Sequence, residues 1–323
     1  MLYDQTSVKD ILRKRHELLR AIRQFFYDRK YIEVETANLM RMPAPDPHIE
    51  PLEAFVGGKG PYFLHTSPEM GMKKLLPSGQ NRVFQICKVY RVEEHEEIHS
   101  TEFTMLEWYR EGTYIQAMNE TNELVSYVAG VLLGEEGRLF QGAFKRYELE
   151  TLFREKTGIN PFGLPRNALF EEMKKKGFPG INDGDALSDL FFKLFIQHIE
   201  GTTGKDEPCF MIDWPALIST MAKEKDDNPA KVERFELYMS GMEIANGYTE
   251  ILDPIAQRKR FLKDNEERRR LNKNTFDTDE EFLEALSMLS GSYAGVSVGV
   301  DRLLMALSNK NHIDDVIPGR FKG

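Results

Sequence analysis

The sequence predicts an α+β fold in which helices flank a mainly antiparallel sheet. Segments with period-two hydrophobicity cluster with hairpin-like links in the last third of the chain, at 233–240, 242–252 and 293–299. The chain lacks the regular strand–helix alternation that indicates a parallel sheet, and it has no repeats or low-complexity linkers. With 323 residues, 41% of them hydrophobic, it is long enough to bury a large core, so we expect one domain over 1–323.

The first half of the chain is predicted to contain helices and strands in irregular order. Apolar residues recur at helical spacing over 8–30, and 31–36 then changes to period two. Residues 43–51 are predicted to form a proline-rich loop, because prolines interrupt both the helical spacing and the period-two spacing of apolar residues. Further strands are predicted at 62–65, 82–92 and 103–109, and further helices at 69–76, 115–133 and 147–157. Strands 82–92 and 103–109 are expected to pair through the acidic stretch between them.

The second half adds an insertion-like segment over about 158–205, rich in Gly, Pro and Lys near its start. It contains one short helix and an amphipathic helix at 187–199, and it leads into a strand at 209–213. Within 242–252 the Asn246-Gly247 pair predicts a turn. The remaining predicted helices are 254–272, 278–289 and 303–307, the last of which follows Gly299-Val300-Asp301-Arg302.

Charge and cysteine content narrow the class of protein. A net charge of −9 argues against a dedicated nucleic-acid-binding face, because neutralising phosphates needs clustered Lys and Arg. Cys87 and Cys209 are the only cysteines, which is typical of a protein of the reducing cytosol. They are far apart in sequence and form no CxxC motif, so they give no support to a thiolate metal site. No apolar run approaches the ~18 residues of a membrane span, so we expect a soluble, cytoplasmic protein.

Common cofactor motifs give little support to other enzyme classes. Neither GxxxxGK[ST] nor GxGxxG occurs, so the sequence gives no support to a P-loop fold or a dinucleotide-binding fold. His95 and His99 are four residues apart, a spacing that binds zinc on a helix. They lie in a predicted turn without the apolar helical face of an HExxH motif, so a zinc site is not supported.

Glu107 and Tyr109 share one face of the predicted strand 103–109 with Phe103 and Met105, because alternate residues of a strand point the same way. A carboxylate and a phenol on an apolar face suit an ammonium or guanidinium group. The alternative is an ordinary salt bridge with a neighbouring base, and the pair by itself favours that alternative. Arg91, near the end of the preceding strand, can bind a phosphate with two hydrogen bonds.

Glu236, Glu243 and Glu250 recur at intervals of seven. Seven is odd, so one unbroken strand cannot place all three on one face, but breaks at Gly241 and at 246–247 would let a hairpin bring them together. Their apolar neighbours mark the segment as buried, and buried carboxylates need a partner. Mg²⁺ or a cationic ligand would serve; the alternative is a solvated edge.

Two further stretches have both a structural and a functional interpretation. In GVSVGVDR, 295–302, Gly295 and Gly299 allow close approach of a flat ligand, and Arg302 could cover an adenine ring or a phosphate. A tight strand–helix joint with an exposed arginine explains it equally well. In Ser67-Pro68-Glu69 the usual explanation is a helix cap, with Ser67 at the N-cap; a role for Glu69 in binding a substrate amine stays open.

Taken in order along the chain, these pieces resemble the three motifs of class II aminoacyl-tRNA synthetases, most closely those of the lysyl type. The matching stretches are the helix and strand at 8–36, Arg91-x-Glu93 with the segment 99–107, the segment 233–250, and 295–302. PCFMIDWP at 208–215 and KDDNP at 225–229 extend the match. The first of these helices begins at residue 8, so we expect no N-terminal anticodon-binding barrel. The chain is then similar to the stand-alone elongation factor P lysine ligases.

The resemblance implies an AMP-forming ligase. Such an enzyme activates (R)-β-lysine or lysine with ATP and Mg²⁺, and transfers it from the aminoacyl-adenylate to a specific lysine of translation elongation factor P. The resemblance further implies a homodimer that uses no tRNA. Two alternatives stay open: a lysine-type aminoacyl-tRNA synthetase without its anticodon domain, and a non-catalytic paralogue that senses an amino acid.

The resemblance also assigns roles to individual residues. Arg91 and Arg302 would be catalytic, because they neutralise phosphate charge. Glu69 would take the amino group near the substrate carboxylate, and Tyr109 with Glu250 the side-chain ammonium. The full implied sets are Arg91, Val92, Glu93, Ser100, Phe103, Glu243, Ile244, Gly299 and Arg302 for ATP; Ser67, Pro68, Glu69, Tyr109 and Glu250 for the amino acid; and Glu236 and Glu243 for Mg²⁺.

Four residues depart from the family pattern. Ala37 stands where the first motif has its proline, which bears on dimer packing. Val92 and Ser100 replace asparagines of the second motif, which bears on ATP contacts. Ser297 stands where lysyl-tRNA synthetases have glycine, which bears on the choice between α- and β-lysine.

Overall fold

Two β-sheets organise the chain in the computed structural model, which describes residues 5–92, 97–218, 221–317 and 319. The strands are β1 (Ile32–Glu33), β2 (Leu39–Met40), β3 (Glu53–Val56), β4 (Lys59–Leu64), β5 (Arg82–Tyr90), β6 (Glu102–Glu111), β7 (Lys145–Glu148), β8 (Cys209–Ile212), β9 (Arg234–Met239), β10 (Met242–Thr249) and β11 (Tyr293–Gly299). The α-helices are α1 (Gln5–Asp28), α2 (Glu69–Lys73), α3 (Tyr114–Leu133), α4 (Leu149–Thr157), α5 (Arg166–Lys175), α6 (Leu187–His198), α7 (Pro254–Arg270), α8 (Glu280–Ser287) and α9 (Val300–Leu307).

The large sheet has eight strands in the order β1-β5-β6-β11-β10-β9-β8-β7. Its five inner neighbour pairs are antiparallel, whereas β1 runs parallel to β5 and β7 runs parallel to β8 at the two edges. A second sheet, β2-β4-β3, lies apart from it. The predicted α+β class with a mainly antiparallel sheet is therefore confirmed.

Strand β6 lies inside the sheet between β5 and β11, as the predicted pairing of 82–92 with 103–109 requires. On the β11 side, Glu107 stands opposite Ser297, and Tyr109 stands opposite Gly295. This register joins two stretches that are about 190 residues apart in sequence, and it places the glycine beside the bulky tyrosine.

The predicted turn at Asn246-Gly247 is wrong. Both residues lie inside β10, and the chain reverses at Ser240-Gly241, where both residues adopt positive φ (52° and 76°). Positive φ at both central residues is the geometry of a tight two-residue hairpin. Gly247 is needed for packing instead, because a Cβ there would lie 2.6 Å from the Phe235 ring.

Other boundaries also differ from the prediction. The helix expected at 147–157 begins at Leu149, since 145–148 forms the edge strand β7. The last helix begins at Val300, before the predicted 303. Among the described residues, every helix is too short or too polar to traverse a lipid bilayer.

Two hydrophobic cores support the large sheet. The larger one packs α1, α3 and α9 against the central strands and buries Phe26, Trp108 and Leu304 completely. The second packs α4, together with α5 and α6 of the insertion-like segment, against β8 and β9 through residues such as Phe153 and Trp214. Burial of large aromatic side chains makes both cores major sources of stability.

Candidate active site

A cavity of about 380 Å³ opens on the face of the large sheet formed by β6, β10 and β11. Phe103, Met105, Glu107 and Tyr109 all line it, which confirms that these residues share one face of their strand. The start of α2, the loop at 44–49 and the segment after α6 complete the wall. The cavity therefore collects residues from the separate stretches that the sequence analysis singled out.

One end of the cavity is acidic and buried. Glu107 is 2% exposed, accepts a hydrogen bond from the Tyr109 hydroxyl at 2.6 Å, and accepts another from Ser67 Oγ at 2.7 Å. Burial, together with the charge of Glu69, raises the pKa of Glu107 to about 7. Ser67 Oγ also accepts from the Glu69 backbone N–H at 3.0 Å. Pro68, not Ser67, is the N-cap residue of α2, so the predicted cap is wrong by one residue.

Glu250 lies just beyond β10 at the same end and is 3% exposed. Its Oε2 forms an ion pair with the Lys73 ammonium, which also pairs with Glu69 Oε1. Within the described structure, Glu250 Oε1 has no hydrogen-bond donor. Burial, followed by the negative charge of Glu69, raises the pKa of Glu250 to about 8, although Lys73 acts against that rise. An unsatisfied buried carboxylate oxygen favours a cationic ligand.

Gly295 gives that oxygen its space. A Cβ on Gly295 would lie 2.5 Å from Glu250 Oε1 and would overlap the Tyr109 ring. Gly295 itself lines the cavity, so Glu250 Oε1 lies directly behind the cavity wall at this point. Gly295 thus makes room for the Glu250 and Tyr109 side chains, and close approach of a flat ligand at this glycine stays a prediction.

Lys73 and Tyr248 belong to the acidic end and were missed by the sequence analysis. Tyr248 donates a hydrogen bond to Glu69 Oε1 at 2.6 Å, and Lys73 is 1% exposed. A signal for each exists: Lys73 is four residues after Glu69 on a helix, and Tyr248 precedes Glu250 by two residues on a strand. Both spacings place side chains on a common face.

The other end of the cavity carries two arginines. Arg91 lies 5.2 Å from the centroid of the Phe103 ring and donates from Nε to the Thr66 carbonyl at 3.2 Å. Arg302, in the first turn of α9, donates from Nε to the Ile98 carbonyl and from an Nη to the Glu243 carbonyl, both at 3.2 Å. Guanidinium groups placed in this way suit phosphate oxygens.

The walls near the arginines accept a flat ligand. A Cβ on Gly299 would meet nothing nearer than 3.9 Å, so protein packing alone does not require glycine there, and the space belongs to the cavity. Ser100 and Ile244 are buried and line the same end. Together with Arg91, Phe103, Glu243 and Arg302, these residues are the members of the predicted ATP-binding set that line the cavity.

Three described residues of the predicted sets, Val92, Pro68 and Glu250, do not line the cavity. Val92 is 57% exposed, and its backbone N–H donates to the Glu50 carbonyl at 2.8 Å. Pro68 is buried at the start of α2, outside the lining. Glu93, together with His95, lies outside the described residues. The roles that the resemblance implies for Val92, Pro68 and Glu93 stay predictions, as do those of the residues that line the cavity.

The three glutamates spaced by seven fall into two groups, which corrects the expectation that a hairpin unites them. The Ser240-Gly241 hairpin, with a bulge between Glu243 and Ala245, brings Glu236 and Glu243 to the arginine end. Glu250 instead joins Glu69 and Glu107. The reason is the uninterrupted course of β10 through 246–247, which carries Glu250 to the far end of the strand.

Glu236 and Glu243 fit a divalent cation that also has ligands outside the protein. Glu236 accepts hydrogen bonds from Arg234 at 2.5 Å and from Tyr238 at 2.8 Å, and it is 4% exposed. Burial and then the charge of Glu243 raise the pKa of Glu236 to about 8. No cluster of three or more His, Cys, Asp or Glu side chains with metal-site geometry occurs among the described residues. Mg²⁺ commonly takes one or two carboxylates and completes its shell with phosphate and water, so this pair fits that mode.

The proline-rich loop predicted at 43–51 forms a roof over the cavity. Asp46, His48 and Ile49 line the cavity from this loop. Arg268 of α7 is fully buried; it donates to the Asp46 carbonyl at 2.7 Å and forms an ion pair with Glu50 at 2.7 Å. One buried guanidinium therefore contacts the roof at several points.

Comparison with known proteins adds to this geometry. A sequence model of the family described as tRNA synthetases class II (D, K and N) matches residues 1–318. The chain is 34% identical over 313 residues to a protein of Pseudoalteromonas translucida, with 95% of this chain and 94% of that protein covered. It is 36% identical over 317 residues to a protein of Avibacterium paragallinarum, with 96% and 95% covered. Both relatives carry the name elongation factor P–(R)-β-lysine ligase.

Proposed function

Because the chain belongs to the class II tRNA synthetase family and, within it, to the elongation factor P–(R)-β-lysine ligases, we propose that it activates a lysine-type amino acid and transfers it to elongation factor P. The amino acid is (R)-β-lysine or lysine, ATP drives the reaction, and AMP and pyrophosphate leave. The acceptor is the side-chain amine of one lysine of elongation factor P.

One observation carries this proposal: a single cavity has a buried acidic end and an arginine end. Glu69, Glu107 and Glu250 at the first end suit the ammonium groups of the amino acid. Arg91 and Arg302 at the second suit the phosphates of ATP. The substrate carboxylate then lies between them, next to the α-phosphorus, which is the geometry that adenylate formation needs.

The residues act mainly by positioning and by neutralising charge. A carboxylate oxygen of the amino acid attacks the α-phosphorus, and the bond to the pyrophosphate oxygen breaks, which gives the aminoacyl-adenylate. Arg91 and Arg302 stabilise the negative charge that builds on the phosphate oxygens. Arg91 lies over the Phe103 ring, so the adenine ring stacks on the face of Phe103 that Arg91 does not cover. The acceptor amine next attacks the acyl carbon, the bond to the phosphate oxygen breaks, and AMP departs.

Glu243 and Glu236 are the residues that would hold Mg²⁺. When bound, the ion supplies charge neutralisation at the phosphates. Glu243 is the more accessible of the two, since its side chain is 34% exposed, whereas Glu236 is held in place by Arg234 and Tyr238. Of the two proposed ligands, Glu243 is thus the one that an incoming ion reaches first, and Glu236 is the one whose position the protein fixes.

Amino-acid-dependent exchange of pyrophosphate into ATP tests the activation step. We expect exchange with (R)-β-lysine or lysine and none with asparagine, which lacks the second ammonium. Glu250→Gln should lower kcat/KM for the amino acid by roughly 100-fold, since a buried charged hydrogen-bond partner is lost. Glu281→Gln, at an exposed site on α8, is the matched control.

Incubation of the labelled amino acid with elongation factor P, and separately with tRNA, tests the acceptor. We expect label on the protein only. Label on tRNA with unmodified protein would identify a lysine-type aminoacyl-tRNA synthetase instead. An absence of exchange with every amino acid would indicate a non-catalytic amino-acid-sensing paralogue.

A further inference from the structure

We infer that Lys73 is a positioning residue of the amino-acid pocket, an internal ammonium that holds Glu69 and Glu250 apart and sets the charge that is left for the substrate. The inference rests on the proposed function and deepens it. Three carboxylates, those of buried Glu107 and Glu250 and of half-buried Glu69, face one lysine, so two negative charges remain when all three are ionised. Two is the number that the two ammonium groups of a diamino acid neutralise.

The surroundings of Lys73 explain why its ammonium stays in place. It pairs with Glu69 on its own helix and with Glu250 beyond β10. The rings of Tyr248, Tyr109 and Phe282 lie around it, with centroids 5.6, 5.9 and 5.9 Å from Nζ. Aromatic faces attract a desolvated cation, so these rings stabilise the charge without competing for the carboxylates.

Lys73 acts through other residues, since it lies behind the lining of the cavity. Glu69, Tyr109 and Tyr248 line the cavity, whereas Lys73 does not. Its side chain is 1% exposed. A substrate ammonium therefore meets carboxylates whose orientation Lys73 has already fixed.

The ion pairs of Lys73 leave the cluster incomplete, which separates this arrangement from a purely structural salt bridge. Lys73 engages Glu250 through Oε2, while Oε1, beside Gly295, has no donor among the described residues. Glu69 Oε1 is shared by Lys73 and Tyr248. A structural cluster would satisfy its own buried oxygens, but this one keeps an acceptor directed at the cavity wall.

The titratable groups that face Lys73 come from three elements besides its own. They are Glu69 on α2, Glu107 and Tyr109 on β6, Tyr248 on β10, and Glu250 after β10. The charge of Lys73 lowers the pKa of both Glu107 and Glu250. Removal of that charge should therefore shift to higher pH the point at which the pocket becomes able to bind a cation.

Lys73→Met tests the inference, because methionine keeps the length and apolar stem of lysine and removes the charge. We expect KM for lysine or (R)-β-lysine to rise by roughly 30-fold or more, with KM for ATP changed less than about 3-fold. The acid limb of kcat/KM against pH should move upward. Lys74→Met is the matched control, because Lys74 pairs with Asp279 and Glu281 outside the cavity.

Two further variants separate charge from shape. Lys73→Arg keeps a cation and should keep the acid limb where it is in the wild-type protein. Lys73→Ala with added n-propylamine should regain at least about tenfold of the lost kcat/KM, since the amine can enter the vacated volume as an ammonium. An unmoved acid limb in folded Lys73→Met, or equal losses for ATP and the amino acid, would overturn the inference.

The test also stands if a variant does not fold or the proposed function fails. Should Lys73→Met not fold, the same measurements on Lys73→Gln decide, since glutamine keeps a polar side chain and removes the charge. A raised KM for the amino acid with an upward shift of the acid limb supports the inference, and an unmoved acid limb overturns it. Should the wild-type protein activate no amino acid, the proposed function fails alone, and calorimetric binding of lysine to wild-type and Lys73→Met protein decides. Equal binding to both, or none to either, counts against the inference.

Discussion

We expect Glu107 and Glu250 to make binding of the amino acid depend on pH. Their pKa values are raised by burial to about 7 and about 8, so the carboxyl groups are protonated below those values in the free protein. A substrate ammonium binds the ionised forms, so kcat/KM for the amino acid should rise as the pH goes from about 6 to about 8. The two groups interact, so the observed pKa values belong to the pair. The value of kcat/KM should fall again near pH 10, where the substrate side-chain amine loses its proton.

The pH profile is checked by steady-state exchange kinetics at saturating ATP. Glu250→Gln removes the group with the higher pKa and should leave a limb at lower pH, whereas Glu281→Gln should not alter the profile. A wild-type kcat/KM that stays flat between pH 6 and about pH 8 would contradict the assignment of these carboxylates.

Gly295 should tolerate no side chain. Gly295→Ala places a methyl group against Glu250 Oε1 and the Tyr109 ring. Overpacking of this kind costs about 1–3 kcal/mol, and here it falls on the residues proposed to hold the ammonium. We expect KM for the amino acid to rise by roughly 10-fold or more and the stability to fall by no more than about 3 kcal/mol. Gly184→Ala, where no atom lies within 4 Å of the added Cβ, is the control; wild-type kinetics for Gly295→Ala would refute the prediction.

At the scale of elements, the roof loop at 43–51 depends on α7. Arg268 is buried in α7 and contacts Asp46, Ile49 and Glu50 of the loop, and its guanidinium lies 4.3 Å from the Phe276 ring centroid. The Lys273 ammonium also donates to the Pro47 carbonyl of the loop at 2.7 Å. The position of this cavity wall thus depends on the loop and on α7 together.

Arg268→Met should loosen this roof. Removing one partner of a buried ion pair costs about 3 kcal/mol or more in the free energy of unfolding. Amide hydrogen exchange should accelerate across 43–51, and KM should rise for both ATP and the amino acid. Arg269→Met, at an exposed position of the same helix, provides the comparison. Unchanged exchange in the loop would show that other contacts hold it.

At the scale of the whole molecule, α1 and β1 present apolar side chains to solvent. Leu12 is 52% exposed, Tyr27 is 49% exposed and Ile32 is 45% exposed. The resemblance places the subunit contact of a homodimer in this region, and large exposed apolar groups are consistent with such a contact. The homodimer stays a prediction, as does the effect of Ala37 on it.

Sedimentation velocity tests this prediction. We expect a dimer at micromolar concentration, and we expect Ile32→Asp to shift the protein towards a monomer because it would bury a charge in the contact. Ile255→Asp, at a residue of α7 that is 66% exposed, should leave the dimer intact. A wild-type monomer at all concentrations would contradict the prediction.

Sequence patterns were sufficient for the parts of the fold that depend on local periodicity. Strands β5, β6, β9 and β11 and the long helices α1 and α3 were predicted within a few residues, because burial of one face imposes a regular spacing of apolar residues. The same spacing placed Phe103, Met105, Glu107 and Tyr109 on one face. Family resemblance, in turn, supplied roles that spacing could not, such as those of Arg91 and Arg302.

Tertiary structure alone decided which separate stretches meet. Asn246-Gly247 is a local turn signal, yet Gly247 lies in a strand because Phe235 packs against it, and Glu250 is carried away from Glu236 as a result. The sequence around Lys73 is typical of an exposed helical lysine. Only the packing of α2 against β6 and β10 buries its ammonium between Glu69 and Glu250. Local patterns determine which face of an element is buried, but the charge left in a pocket depends on residues brought together from distant positions, and those contacts exist only in the folded chain.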